Sequence, residues 1–160
     1  MRGVLHCQDC RLPWKTRNDL ARFVTAQDSG GTYASALAEL RAGRKTGHWM
    51  WFVFPQIAGL GQSEMSRRYA IASRAEAAAY FQHVLLGPRL IECTGIVDAT
   101  RGRKATEIFG PVDAQKLQSC MTLFLRAAPG EPLFARVLNR YFAGAPDPHT
   151  DQLLRQQGVT

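Results

Sequence analysis

Six consecutive large apolar residues, Trp49 to Phe54, stand in the segment Gly47-His-Trp-Met-Trp-Phe-Val-Phe-Pro-Gln56. Neither the 3.6-residue helix period nor strand alternation accounts for such a run, so it is expected to be buried on all sides at the centre of a core. His48, Gln56 and Lys45 are carried to the edge of that core, where each polar group needs a partner. Two readings follow and stay open. In one, the segment is a central core piece with hydrogen-bonded ends. In the other, the same residues wall a pocket.

The chain around it has 160 residues, 46% of them apolar and 21% charged, the profile of one globular domain. At this length a chain buries roughly 68–70% of the surface its unfolded form exposes, so neither disulfides nor a metal is needed to hold it. The longest uncharged stretch, Thr46 to Ser63, is broken by glycines, Pro55 and polar residues. A membrane span needs about 20 mostly apolar residues, so no membrane association is expected. The first residues carry Arg2, Asp9 and Arg11 without the roughly 7–15-residue apolar stretch of a secretory signal. A cytoplasmic location with reduced thiols is the expectation.

The formal charge is +7, of which +3 falls in residues 1–17 and +4 in the rest. Cations gather at Arg41/Arg44/Lys45, at Arg67/Arg68 and at Arg101/Arg103/Lys104, each beside an expected helix end, where solvated charge is ordinary. Sequence-specific nucleic-acid binding is not expected, because no concentrated basic face is legible.

Helix signals recur and strand signals do not. Asn18 can cap a helix with Leu20, Phe23, Val24 and Gln27 on one face, and Thr32 can cap YASALAELRA, stopped by Gly43. Ser63 precedes EMSRRYAIA, and Ser73-Arg-Ala-Glu76 forms a capping box before AAAYFQHVLL. Pro88 suits a first helical position before RLIECTGIVDAT, with Leu90, Cys93, Thr94 and Val97 on one side. Asp113 is placed as the cap of AQKLQSCMTLFLRAA, Glu131-Pro132 as the start of LFARVLNRYF ended by Gly144, and Asp147 with Thr150 as the cap of a last short helix. The predicted fold is all-α: one compact domain of about seven or eight short helices over residues 18–157, preceded by an extension over residues 1–17.

HWMWFVFPQIAGLG, with RFVTAQD before it and SRRYAI, LGPRL, IFG, KLQSCMTLF and YFAGAPDPHT after it, closely resembles the family of small bacterial proteins catalogued as domain of unknown function 1810. The resemblance runs from about Asp19 to Leu154 with its blocks in the family's order. It implies an all-helical single domain and no established activity. The chain departs from the family in having Val84 after His83, where relatives usually have Pro, and in the extension through Arg17. The resemblance makes HWMWFVFPQ and KLQSCMTLF two signatures, which favours the pocket reading without identifying its chemistry.

In the second block Lys116, Ser119, Cys120 and Leu123 share a helix face, placing an ammonium, a hydroxyl and a thiol together. The candidate ligand-binding residues are therefore His48, Trp49, Trp51, Gln56, Lys116 and Ser119. Catalytic residues are not identified, the candidates being His48 as acid or base and Cys120 as nucleophile; the alternative for Cys120 is a small apolar filler. Arg22 is either a buried anchor for a carboxylate or a surface charge, the anchor being the preferred reading. His6, Cys7 and Cys10 are half a zinc site at most, so no metal is expected there. With no GxGxxG, Walker, HExxH or GxSxG motif, no cofactor is implied. Two functions survive: a binding protein or enzyme for a small anionic, nucleotide-like molecule, and a basic interaction module for RNA, DNA or an acidic partner.

Overall fold

The computed structural model describes residues 19–157. They form a single all-α domain, in the order α1 (Ala21–Asp28), a 3-10 turn (Ser29–Gly31), α2 (Thr32–Arg41), α3 (Met50–Val53), α4 (Glu64–Arg68), α5 (Arg74–Gln82), α6 (Leu86–Ala99), α7 (Ala105–Ala127), α8 (Leu133–Phe142) and α9 (Pro148–Gln157). The extension over residues 1–17, with His6, Cys7, Cys10 and the proposed Asn18 cap, lies outside the described residues. Among the described residues no helix is long and apolar enough to cross a membrane.

Helix α7 is the central post. Helices α5, α8 and α9 pack on it, α5 and α8 also lean on α6, and α1 to α3 close the other side through α6. One continuous core results, reaching from Phe23 in α1 to Leu138 in α8. Trp49, Met50, Phe52, Val53 and Phe54 are buried in it, so the apolar run does occupy the interior. It does so as one turn of helix, Met50–Val53, between irregular flanks, which is why neither periodicity fitted it. Trp51 alone stays half-buried.

Several ends are made as the residues predict. Helix α2 closes on Gly43 at φ +74, with the Gly43 N–H donating to Leu40 O at 3.0 Å and the Arg44 N–H to Glu39 O at 3.1 Å, the paired bonds of a Schellman stop. Ser63 and Ser73 each accept the backbone N–H three residues on, at 3.1 Å. Leu90, Cys93, Thr94 and Val97 line the buried side of α6.

Other ends differ, for local reasons. Thr32 is the first helical residue of α2, and left-handed Gly31 stands in the cap position. Helix α4 stops at Arg68, because Ile71 turns to pair with the segment after Pro55: its N–H donates to Gln56 O and its carbonyl accepts from Ala58 N–H, both at 2.8 Å. Helix α5 ends at Gln82 because His83 is extended, with φ −63 and ψ 136, the conformation of a residue before proline. The His83 Nδ1 then accepts the N–H groups of Leu85 and Leu86, at 3.0 and 3.2 Å, capping α6 two residues ahead of Pro88. Asp113 is not the cap of a new helix. Helix α7 has already begun at Ala105, where Glu107 accepts the Lys104 N–H at 2.6 Å. It is broken at Gly110 (φ 80, ψ 164), followed by Pro111, and only glycine takes that backbone readily.

Candidate functional site

Glu39 closes α2 and organises the loop that delivers the apolar run. Its Oε1 accepts the N–H groups of Thr46 (2.7 Å) and Gly47 (2.8 Å) and the indole Nε1–H of Trp49 (3.0 Å). Gly47 is needed at this bend: a Cβ there would meet the Trp49 ring at 2.9 Å and Glu39 Oε2 at 3.1 Å. Burial pushes the Glu39 carboxyl up, but the three donors outweigh it and hold the group below its usual 4.5. A carboxylate with a lowered folded pKa stabilises the fold above its unfolded pKa, and that contribution is lost as pH falls through the lowered value. Wild type is therefore expected to melt above Glu39→Gln at pH 7. The gap should close as pH drops below about 4.5, the value at which a free Glu titrates. Thermal melts at pH 7 and pH 3 check it; a gap independent of pH would contradict the role given to the charge.

From this loop Lys45 reaches across to α7. Its backbone N–H donates to Ile108 O at 2.7 Å, and its ammonium donates to the Gly47 carbonyl and lies 2.8 Å from Asp113 Oδ2. The Lys45 side chain is only 8% exposed, so the ion pair is mostly shielded from solvent. The other Asp113 oxygen faces the Lys116 ammonium at 3.5 Å, and that ammonium lies 4.9 Å above the Trp51 ring. Lys45 stands 5.1 Å from the Trp49 ring. The Trp51 indole N–H is buried and has no hydrogen-bond partner among the described residues, so its donor capacity is unused there.

The two signature segments thus meet, through Trp49, Trp51, Lys45, Asp113 and Lys116. Ser119 takes no part. Its hydroxyl donates to Asp147 Oδ2 at 3.0 Å and to Gln115 O at 3.2 Å, and the same Asp147 oxygen accepts the Thr150 N–H (3.1 Å) and hydroxyl (2.6 Å). Asp147 is the cap that its sequence position suggested, and Ser119 belongs to that cap. Cys120 is wholly buried, and burial raises its thiol well above the ordinary range. A nucleophilic thiol needs access and a lowered pKa, so Cys120 sits as a core filler. Cys93 is likewise buried, its thiol pushed up to about 12 by desolvation. His48 is exposed, and no hydrogen bond or ring contact ties it to the cluster. The Gln56 backbone carbonyl is engaged by Ile71, and no bond of its side chain joins the cluster.

Asp113 is the acidic residue three before Lys116, a spacing that pairs charges on a helix, and its capping chemistry masks that pairing in the sequence. Glu39 carried no local signal. Arg22 is the carboxylate anchor expected: its guanidinium lies 3.5 Å from Glu76, which is 1% exposed, and donates to Arg68 O and Ala70 O at 2.9 and 2.7 Å. Its role is to tie α1 to the start of α5.

Surface clefts elsewhere on the described residues, one of about 430 Å³ between Arg41 and Arg103 among them, are lined by other residues. Among the described residues no group of three or more His, Cys, Asp or Glu is placed to hold a metal.

The family model described as "Protein of unknown function (DUF1810)" matches residues 17–154, in agreement with the resemblance drawn from the signature blocks. Among solved structures, the chain is similar to the conserved hypothetical protein Rv1873 from Mycobacterium tuberculosis. The two are 55% identical, the match covers 89% of this chain and 98% of that one, and the TM-score is 0.83. No curated protein matches the chain.

Proposed function

The chain belongs to the DUF1810 family, and from that premise we propose that it is a cytoplasmic bacterial protein that binds a small anionic molecule where α3 meets α7. The observation carrying this reading is the orphaned Trp51 indole N–H beneath the Lys116 ammonium. A buried donor left without an acceptor costs about 1–3 kcal/mol. An acceptor that also carried negative charge would relieve that cost and gain the attraction of Lys116 and Lys45, which share the single carboxylate of Asp113. A phosphate or carboxylate group attached to a flat ring fits best, since the Trp51 face offers stacking once Lys116 swings onto the anion. The arrangement supplies binding and orientation; no side chain in it is set up as a nucleophile.

The test is a titration with inorganic phosphate, a nucleoside monophosphate and a dicarboxylate, read by tryptophan fluorescence and thermal shift. A saturable change with at least one of them is expected in wild type. In Lys116→Met and Trp51→Phe it should weaken by about tenfold or more, the loss of one charge-assisted hydrogen bond, while the ligand-free melting point moves little. No saturable response at millimolar ligand, or variants that respond like wild type, would refute the reading.

A further inference from the structure

Two of the cation groups that lie apart in the sequence share one surface. Arg41 and Gly43, at the end of α2, border one recess together with Arg101 and Arg103. A second recess, of about 360 Å³, is lined by Arg103, Lys104, Arg140, Tyr141 and Phe142. Arg103 lines both, so the recesses adjoin. Five cations line the pair and no acidic residue does. Arg41 and Arg140 are ion-paired outside the recess linings, with Glu92 at 3.7 Å and Asp98 at 3.3 Å, which leaves the side chains of Arg101, Arg103 and Lys104 without a carboxylate partner among the described residues. Arg101 donates to the carbonyls of Asp98 and Thr100, at 2.7 and 3.3 Å. The exposed Arg103 guanidinium forms no hydrogen bond or ion pair with any described residue. It lies against Gly43, where a Cβ would stand 3.2 Å from its Nε, and Gly43 is itself locked at φ +74. The glycine that stops α2 thus also makes room for the arginine that joins the recesses.

We infer that this face binds the backbone of single-stranded nucleic acid without reading its sequence, seating successive phosphates in the two recesses about Arg103 and laying a base against Phe142. Three features favour a strand over other anions. The recesses are open and adjoining, which suits a ligand held by repeated contacts along a chain. The cations are mostly arginines, whose planar fork engages phosphate in pairs of bonds and stacks on bases. Half-buried Phe142 puts an aromatic face beside the charges, the combination by which single strands are held irrespective of sequence. An acidic peptide would use the charge but leave the ring idle. This face is independent of the Trp51–Lys116 seat, and none of the residues tested below belongs to that seat.

The experiment is fluorescence anisotropy of a labelled 12-nucleotide oligouridylate at 50 and 200 mM NaCl. For about three phosphates neutralised, the affinity is expected to fall roughly twentyfold between the two salts. Arg103→Gln with Arg140→Gln should weaken binding about tenfold at low salt and flatten the salt dependence by about 0.7 unit of slope per phosphate contact removed. Arg67→Gln with Arg68→Gln removes the same charge from α4 and should leave affinity within about twofold. Oligonucleotides of other composition should bind within a similar range. Equal losses in the two double variants would mean bulk charge alone and overturn the inference. So would absence of binding by wild type at 50 mM salt. Displacement of the strand by oligoglutamate at lower concentration than by unlabelled oligonucleotide would assign the face to an acidic protein. Displacement by inorganic triphosphate at equal phosphate concentration would assign it to free polyphosphate. Either of these also overturns it.

Discussion

Replacing Trp49 with Ala is expected to cost about 4–5 kcal/mol, the upper range for removing a buried indole and leaving a cavity. Trp49 is 2% exposed, lies tilted against Phe54 at 6.3 Å between ring centres, and carries the indole N–H that Glu39 accepts. Domains of this size are held by only about 5–15 kcal/mol in total, so the variant should be largely unfolded at moderate denaturant. Trp49→Phe separates the two contributions. It keeps most of the ring and loses the bond to Glu39, which retains its Thr46 and Gly47 donors, and about 1–2 kcal/mol is expected from one lost hydrogen bond with some packing. Chemical denaturation of both variants checks the ratio. If the two lose the same amount, the ring is not packed as described.

Asp147→Ala should rank next, at about 3–4 kcal/mol. Asp147 is 4% exposed, and its Oδ2 alone accepts Ser119 Oγ, Thr150 N–H and Thr150 Oγ1. Its own N–H donates to Thr122 Oγ1 at 2.8 Å, fastening the start of α9 to α7. Truncation strands the Thr150 donors inside the protein, each worth about 1–3 kcal/mol, and removes the cap of α9. The melting point is expected to fall by about 10 °C. Asp147→Asn keeps an acceptor oxygen and should retain more than half of the difference. Ser119→Ala combined with Asp147→Ala should be less than additive, because the two side chains share one bond. Strict additivity, or a loss below about 1 kcal/mol for the Ala variant, would show that the cap is not the structural tie inferred from its bonds.

These residues show where reading the chain alone succeeds and where it stops. Gly43, Ser63, Ser73 and the buried side of α6 were legible because a cap or a periodic face depends on residues a few positions apart. The end of α4 was not, because Ile71 is drawn out of the helix by Gln56, fifteen residues earlier. The start of α7 differs from the sequence expectation for a related reason: Asp113 is a good capping residue, but α7 begins at Ala105 and bends at Gly110 and Pro111, which leaves Asp113 inside the helix to hold Lys45 and Lys116.

The candidate site divides along the same line. Trp49, Trp51 and Lys116 come together, since two central elements bearing the largest apolar side chains must pack against each other. Ser119 and Cys120 share a helix face with Lys116, yet Ser119 turns to a helix cap near the C-terminus and Cys120 to the interior. A shared face says which way side chains point and not which neighbour receives them.

By itself the sequence determined the all-α class, most helix positions and the burial of residues 49–54, because local hydrogen bonding and hydrophobic burial act on composition and spacing. Only the tertiary structure decided that Glu39 gathers the loop before Trp49, that Lys45 and Lys116 share Asp113, that the Trp51 indole goes unpartnered, and that Arg41, Arg103 and Arg140 lie on one face. Each of these joins residues far apart along the chain, and such pairings are set by how the helices pack, which no local spacing encodes.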